Sequence, residues 1–224
     1  MLGTYLKKKF GKEKEIPAAD QFYSPLRIGL HSTVDISTVD WLIMQEGLND
    51  TMVLPSGRMT VLAIGKTVTD GDEIYNVYMT DQNNKEFILQ LFCAEPADGN
   101  WTVAEATLFK QVVNIVPLTE SEWDENMDAI GFNTIELDDN TYNRVWAEDY
   151  DGRVDLIKFD ENVVESKKIT GYTNNYLLYS RTFTSVTETE ETEMLLVGVE
   201  ETDETAEITM MLGLPVPLSN INIQ

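Results

Sequence analysis

Short runs rich in β-branched and aromatic residues, separated by turn-forming residues, constrain the fold of this chain more than any other feature. The run 74–80 follows Asp70-Gly71-Asp72, and the run 87–93 follows Asp81-Gln82-Asn83-Asn84. Branched and aromatic side chains favour strands, whereas Asp, Asn and Gly favour tight turns. The pattern predicts an antiparallel arrangement with strands at 61–64, 74–80, 87–93, 141–147, 153–159, 176–184, 194–200 and 206–212.

One segment in the middle of the chain carries a clear helix signal. Thr119 is followed three residues later by Glu122, which is the spacing of a capping box, and Gly131 follows the segment. Acidic residues in a first turn also suit the helix dipole. A helix is therefore predicted over 119–130.

A second, shorter helix is predicted between Thr38, which is a suitable cap, and Gly47. Strands are otherwise clustered with strands and do not alternate with helices. The predicted fold class is α+β, mainly antiparallel β, with eight or nine strands and two or three short helices.

The length and the charge pattern indicate how the chain is organised. Residues 1–17 form a basic amphipathic N-terminal segment, and residues 18–224 are predicted to form a single globular domain. Within that domain, two β halves at 26–117 and 132–224 are an open alternative, with the predicted helix between them.

The chain is strongly acidic, with a formal net charge of -23 from 39 acidic and 16 basic side chains. Residues 182–224 contain no Lys or Arg, and an acidic surface is predicted there at Glu188, Glu190, Glu191 and Glu193. Nucleic-acid phosphate repels such a body, so no nucleic-acid partner is expected. A protein partner with a basic surface suits it, although solubility alone also explains the charge.

The basic N-terminal segment has the spacing of an amphipathic helix. Its apolar residues share one face, with three lysines beside them, so the candidate contact residues are Leu2, Tyr5, Leu6, Lys7, Lys8, Lys9 and Phe10. Three interpretations stay open: a frayed or internally packed terminus, docking on a partner protein, and peripheral contact with a membrane surface.

The supply of catalytic and metal-binding groups is small. The chain has one His and one Cys, and His31 lies outside any nucleophile motif. Structural zinc sites rarely depend on carboxylates for half of their ligands. No catalytic residue, cofactor or metal is therefore predicted, and an enzyme is the less expected class.

Cysteine usage and hydropathy indicate the compartment. Cys93 has no partner for an internal disulfide and lies in an apolar strand pattern. The apolar runs are far shorter than the roughly 20 residues of a membrane-spanning helix, and no secretory signal is visible. A cytoplasmic location is expected.

Two function classes follow. The first is a non-enzymatic acidic interaction module, with the N-terminal segment as its docking or localising element and Trp123 and Trp146 as an aromatic interface. The second is a small-molecule-binding protein or carboxylate-based hydrolase with a pocket between two β halves. Core packing is the alternative role for the two tryptophans, and self-association of the chain stays open.

The order of landmarks along the chain resembles the YjfK-like family of bacterial proteins of unknown function, from Leu26 to the C-terminus. The matching pieces, in order, are Thr80-Asp81, Phe87-Ile88-Leu89-Gln90-Leu91, Ala106-Thr107-Leu108-Phe109, Glu120-Ser121-Glu122-Trp123, Ile130-Gly131, Tyr142-Asn143-Arg144-Val145-Trp146, Gly152-Arg153-Val154, Leu178-Tyr179-Ser180-Arg181, Leu195-Leu196-Val197-Gly198-Val199-Glu200-Glu201 and Glu207-Ile208-Thr209-Met210-Met211-Leu212-Gly213.

The resemblance implies no activity, cofactor or catalytic residue. Genes of that family are often found beside those of membrane-stress proteins similar to the phage-shock coiled-coil protein. The resemblance therefore implies an accessory role in the bacterial cytoplasm, tied to a membrane-stress system through a protein partner.

Overall fold

The computed structural model describes residues 14–15, 26–69, 71–94, 102–147, 150–166, 168–201 and 206–224. Two α-helices lie in this part of the chain, α1 (Val39–Leu42) and α2 (Glu120–Asp128). Its strands are β1 (Lys14–Glu15), β2 (Thr33–Ile36), β3 (Met59–Val68), β4 (Asp72–Thr80), β5 (Glu86–Ala94), β6 (Thr102–Ile115), β7 (Thr134–Leu137), β8 (Asn140–Arg144), β9 (Ile157–Glu165), β10 (Lys168–Thr184), β11 (Glu190–Glu201), β12 (Ala206–Pro215) and β13 (Ile221–Ile223).

The long strands form one antiparallel sheet that closes on itself. Around the ring the order is β3-β4-β5-β6-β12-β11-β10-β9, and β9 pairs with β3 again. Strands of both sequence halves therefore share one sheet. The expectation of a mainly antiparallel β fold is confirmed, with thirteen strands in the described residues where eight or nine were expected.

The two faces of the ring differ because side chains alternate along each strand. On β5, Leu89, Leu91 and Cys93 point outward into a core cluster, whereas Gln90 and Phe92 point inward. The interior thus receives a mixture of apolar and polar side chains, while the covered outward faces are mostly apolar.

Two layers cover the outside of the ring. Segment 26–54 packs on the outer face of β3–β6, with Trp41 and Met44 among its buried residues. Helix α2 and strands β7 and β8 cover the outer face of β10–β12, where Tyr142 and Tyr179 are completely buried.

Helix α2 begins as its sequence predicts. Thr119 Oγ1 accepts a hydrogen bond from the Glu122 amide at 3.2 Å, and the Glu122 carboxylate reaches back to the amide of Leu118 at 2.8 Å. This is the reciprocal satisfaction of a capping box, displaced by one residue on the return side.

One strand lies further along the chain than expected. The prediction for 153–159 is wrong at its start, because β9 begins at Ile157 and continues to Glu165. The reason is local: the Val154 amide donates to the carbonyl of Gly131 at 2.9 Å, and Arg153 Nε donates to that of Ile130 at 2.9 Å. These bonds hold the segment before β9 against the end of α2.

A buried ion pair joins the outer layers to the ring. The Glu193 carboxylate on β11 is fully buried and contacts Arg181 Nη2 on β10 at 2.7 Å. It also accepts a hydrogen bond from the Tyr142 hydroxyl at 2.8 Å and one from the backbone N–H of Asn49 at 3.2 Å. One carboxylate therefore links the sheet, β8 and the covering segment.

Replacing Glu193 with Gln should lower the free energy of unfolding by about 3 kcal/mol, because the Arg181 charge stays buried without its partner. The matched control is Glu191→Gln, a partly exposed position on the same strand, which should change stability by less than about 0.5 kcal/mol. Chemical denaturation of the two variants measures both values, and equal effects would contradict the buried-pair account.

Candidate functional site

A cavity of about 450 Å³ lies inside the ring, at the end where β3 and β5 finish and β4 and β6 begin. An eight-stranded closed sheet has an interior that is either filled by side chains or able to hold one small ligand. The volume falls within the usual range of small-molecule sites. This cavity is therefore the candidate functional site.

The cavity takes its lining from the strands of both sequence halves, 26–117 and 132–224. Aromatic side chains form much of the wall: Phe92, Phe109, Trp146, Phe159 and Tyr176. The polar lining residues are Thr67, Thr69, Asn76, Gln90, Glu105, Thr107 and Asn174. A wall that combines aromatic faces with a few hydrogen-bonding groups is typical of small-molecule sites.

A buried carboxylate organises the polar side of the cavity. Glu161 on β9 is 2% exposed and lies directly behind the lining. Its carboxylate accepts hydrogen bonds from Asn76 Nδ2 on β4, from Asn174 Nδ2 on β10 and from the Tyr78 hydroxyl, each at 2.9 Å. Hydrogen bonds to a carboxylate are strong, so these bonds fix three side chains, two on β4 and one on β10.

Gln90 extends this arrangement along the wall. Its Nε2 donates to Asn76 Oδ1 at 3.1 Å, and both residues line the cavity. Glu161, Asn76 and Gln90 thus form a directed chain of hydrogen bonds that runs from β9 across β4 to β5. We call Glu161, Asn76, Gln90 and Asn174 the amide network.

The position of Glu161 depends on a glycine in the neighbouring strand. A Cβ atom built on Gly65 would overlap the Glu161 carboxylate. Glycine is needed here because the carboxylate crosses the backbone closely, not because of an unusual backbone angle.

The mouth of the cavity is formed partly by the chain after β8. Trp146 is 39% exposed and lines the cavity. The buried guanidinium of Arg144 fixes this turn, donating to the carbonyl oxygens of Trp146 and Ala147 at 2.8 Å each and of Tyr150 at 2.6 Å. Since a guanidinium presents donors in a rigid fork, it holds the turn in one arrangement.

The groups that line the cavity are mostly uncharged. Glu105 is the carboxylate among the described lining residues, and neither His31 nor Cys93 belongs to that lining. His31 is exposed. Cys93 faces the outer core, where burial raises the pKa of its thiol to about 11, so it is protonated at neutral pH.

The sequence-predicted contact residues are placed differently from one another. The N-terminal candidates Leu2, Tyr5, Leu6, Lys7, Lys8, Lys9 and Phe10 lie outside the described residues. Of the predicted acidic surface, Glu188 and Glu190 are exposed and Glu191 is partly exposed. Glu193 does not belong to that surface, because its carboxylate is buried against Arg181.

The two candidate tryptophans lie in different environments. Trp123 is half-buried on α2 and packs against the outer cluster over β10–β12. Trp146 lies at the cavity mouth. The structure does not bring them together in one aromatic surface.

Sequence reasoning missed the amide network. A signal was present, since Asn76 and Gln90 interrupt runs that are otherwise apolar, as a polar side chain facing an enclosed interior would. Nothing in the sequence near Glu161 marks it as buried, because Asn76 and Tyr78 lie 85 and 83 residues away along the chain. Its third partner, Asn174, lies on the next strand.

The described residues also bear on metal sites and membrane-spanning helices. No group of three or more His, Cys, Asp or Glu side chains there is arranged to hold a metal ion. Within the same ranges, no helix has the length and apolar character needed to cross a lipid bilayer.

Comparison with known proteins gives a family without a described activity. The family described as "Protein of unknown function (DUF2491)" matches residues 5–222 of the chain. No curated protein and no solved structure matches the chain.

Replacing Gly65 with Ala should lower the free energy of unfolding by about 2 kcal/mol, because the new methyl group displaces the Glu161 carboxylate. The matched control is Gly171→Ala on β10, where the nearest atom to a new Cβ is Asn162 Oδ1 at 3.9 Å. The control should be neutral or slightly stabilising. Denaturant titration measures both, and a neutral Gly65→Ala variant would contradict the close approach.

Proposed function

The chain belongs to the DUF2491 family of proteins of unknown function, and we propose that it binds a small amphipathic molecule inside the closed sheet without catalysing a reaction. One observation carries the proposal. A cavity of about 450 Å³, with aromatic walls and a fixed polar side, lies between the strands of the two sequence halves.

The construction of the cavity supports binding over simple core packing. An interior that served stability alone would gain by filling this volume with apolar side chains, since packed cores leave few voids larger than a water molecule. Here three carboxamides and a buried carboxylate are brought into the interior instead, although burying polar groups is costly unless they are hydrogen-bonded. The ordered polar side is what a ligand site requires for specificity.

The same lining supports binding over carboxylate-based hydrolysis. A glycosidase-type site needs two acidic groups that flank the reacting bond. Glu105 lies in the lining, whereas the Glu161 carboxylate is already held by Asn76, Asn174 and Tyr78. Those hydrogen bonds occupy the Glu161 oxygens, and Glu161 is not among the lining residues, so the lining does not offer a second acid opposite Glu105.

The cellular setting is also part of the proposal. We infer that the chain is a YjfK-like protein of the bacterial cytoplasm, as the order of its sequence landmarks implies. The strong negative charge supports a protein partner with a basic surface. The partner then binds the protein differently with and without its ligand, and residues 2–10 are the segment that docks on the partner.

A cavity-filling variant tests the proposed function. Thr107 lines the cavity on β6, so Thr107→Phe should place a ring in the ligand volume and abolish binding. We expect a thermal-shift screen of a small-molecule library to find ligands that raise the Tm of the wild-type protein by several degrees, because a ligand that binds only the folded state stabilises it. The same ligands should leave the Tm of Thr107→Phe unchanged.

Thr182→Phe is the matched control for this experiment. Thr182 is an exposed position on β10, so the same ring added there should leave ligand binding intact. Ligands that act equally on all three proteins bind elsewhere. A library without a single ligand that depends on Thr107 would overturn the proposed function.

A further inference from the structure

We propose, resting on the proposed function, that the cavity selects ligands by a hydrogen-bond donor. The ligand presents an ammonium, hydroxyl or amide N–H group to the amide network and an aromatic or aliphatic body to the walls. Ligands whose polar end is a carboxylate or a phosphate are rejected.

The first step is the orientation of the carboxamides. An ionised carboxylate is only an acceptor, so each side chain that contacts Glu161 must turn a donor toward it. Asn76 and Asn174 do so with Nδ2, at 2.9 Å each. The oxygen end of the Asn76 group is therefore directed away from Glu161, toward Gln90 on β5.

The second step is the continuation of this polarity to Gln90. Asn76 Oδ1 accepts a hydrogen bond from Gln90 Nε2 at 3.1 Å. In both side chains the nitrogen end therefore points toward Glu161 and the oxygen end points away from it. The directed chain from Gln90 to Glu161 therefore ends at Gln90 Oε1, an acceptor on the cavity wall. The Glu161 carboxylate on β9 thus sets the polarity of carboxamides on β4 and β5.

The third step is the charge of the lining. No Lys or Arg is among the described lining residues, and Glu105 adds a carboxylate. An anionic ligand would thus lose its hydration without gaining a cation in exchange, and burying an unpaired charge is strongly unfavourable. A cationic or neutral donor meets acceptors of the right polarity.

The walls define the rest of the ligand. Phe92, Phe109, Tyr176 and Trp146 present aromatic surface to the cavity. Aromatic faces attract both apolar rings and organic cations. The class that fits is an amphipathic amine or alcohol with an aromatic or branched aliphatic body.

Four indoles of equal chain length test the selection: tryptamine, tryptophol, the methyl ether of tryptophol, and indole-3-propionate. They carry an ammonium, a hydroxyl, an ether oxygen and a carboxylate at the same position. Ligand-detected NMR titrations on the full chain should show tryptamine and tryptophol binding at least tenfold more tightly than the ether and the carboxylate. Tryptophol and its methyl ether are both uncharged. A difference between them therefore measures the hydroxyl donor alone, without the general attraction of a cation to an acidic protein.

Variants of the network locate the effect. Gln90→Leu removes the terminal acceptor, and Glu161→Gln removes the charge that orients the carboxamides with almost no change in shape. Each should reduce the tenfold preference to less than threefold. Gln111→Leu, at an exposed position on β6, is the matched control and should retain it. If Glu161→Gln does not fold, Gln90→Leu carries the test.

Each remaining outcome decides the question. Equal or tighter binding of indole-3-propionate to the wild-type cavity would overturn the inference and leave the proposed function standing. Failure of all four indoles would overturn it too, if the Thr107-dependent library screen finds other ligands. If that screen also fails, the proposed function falls with it.

Discussion

The double pairing of β9 is the constraint on which the rest of the structure depends. This strand pairs with β10 over 160–165 and with β3 over 161–164, and so joins the first and last parts of the ring. Without it the sheet would have two long unpaired edges, which expose backbone donors and acceptors and favour association with other chains. With it, one face of every long strand is turned into an enclosed interior.

Closure also explains where the polar groups lie. Glu161 is at the middle of the closing strand and points inward, where it collects donors from β4 and β10. A buried charge is tolerated only when it is well hydrogen-bonded, so the register of these strands and the chemistry of the cavity are coupled. Outside the ring, the Glu193 carboxylate has the corresponding role, since it connects β10 and β11 to the covering segment through Arg181, Tyr142 and Asn49.

Local structure was largely predictable from the sequence. The strands around 74–80 and 87–93 were expected because alternation and turn residues act over a few positions, and the observed β4 and β5 contain them. The start of α2 was expected because a cap and its partner are three residues apart. Such signals depend on neighbours in the chain, and tertiary packing did not override them here.

What the sequence did not reveal depends on long-range pairing. Strand β6 spans Thr102–Ile115, but its charged and amide side chains at Glu105, Lys110 and Gln111 obscure the strand pattern. Glu193 was expected on the acidic surface because threonines and acids surround it in the sequence, whereas its carboxylate is buried against Arg181. The turn closes earlier, with the Ser185 amide bonded to the Thr189 carbonyl at 2.9 Å. The cavity itself was anticipated only as a pocket between two β halves, and its residues become recognisable once the ring is closed.

The measurement that tests this account most directly is a set of cross-strand NOEs on the isotope-labelled full chain. If β9 closes the ring, backbone contacts are expected on both of its sides, from Val163 to Gly65 and from Asn162 to Gly171, because these residues are paired in register. Contacts to Gly171 without contacts to Gly65 would show an open sheet. The enclosed cavity, the burial of Glu161 and the proposed binding function would then lose their basis.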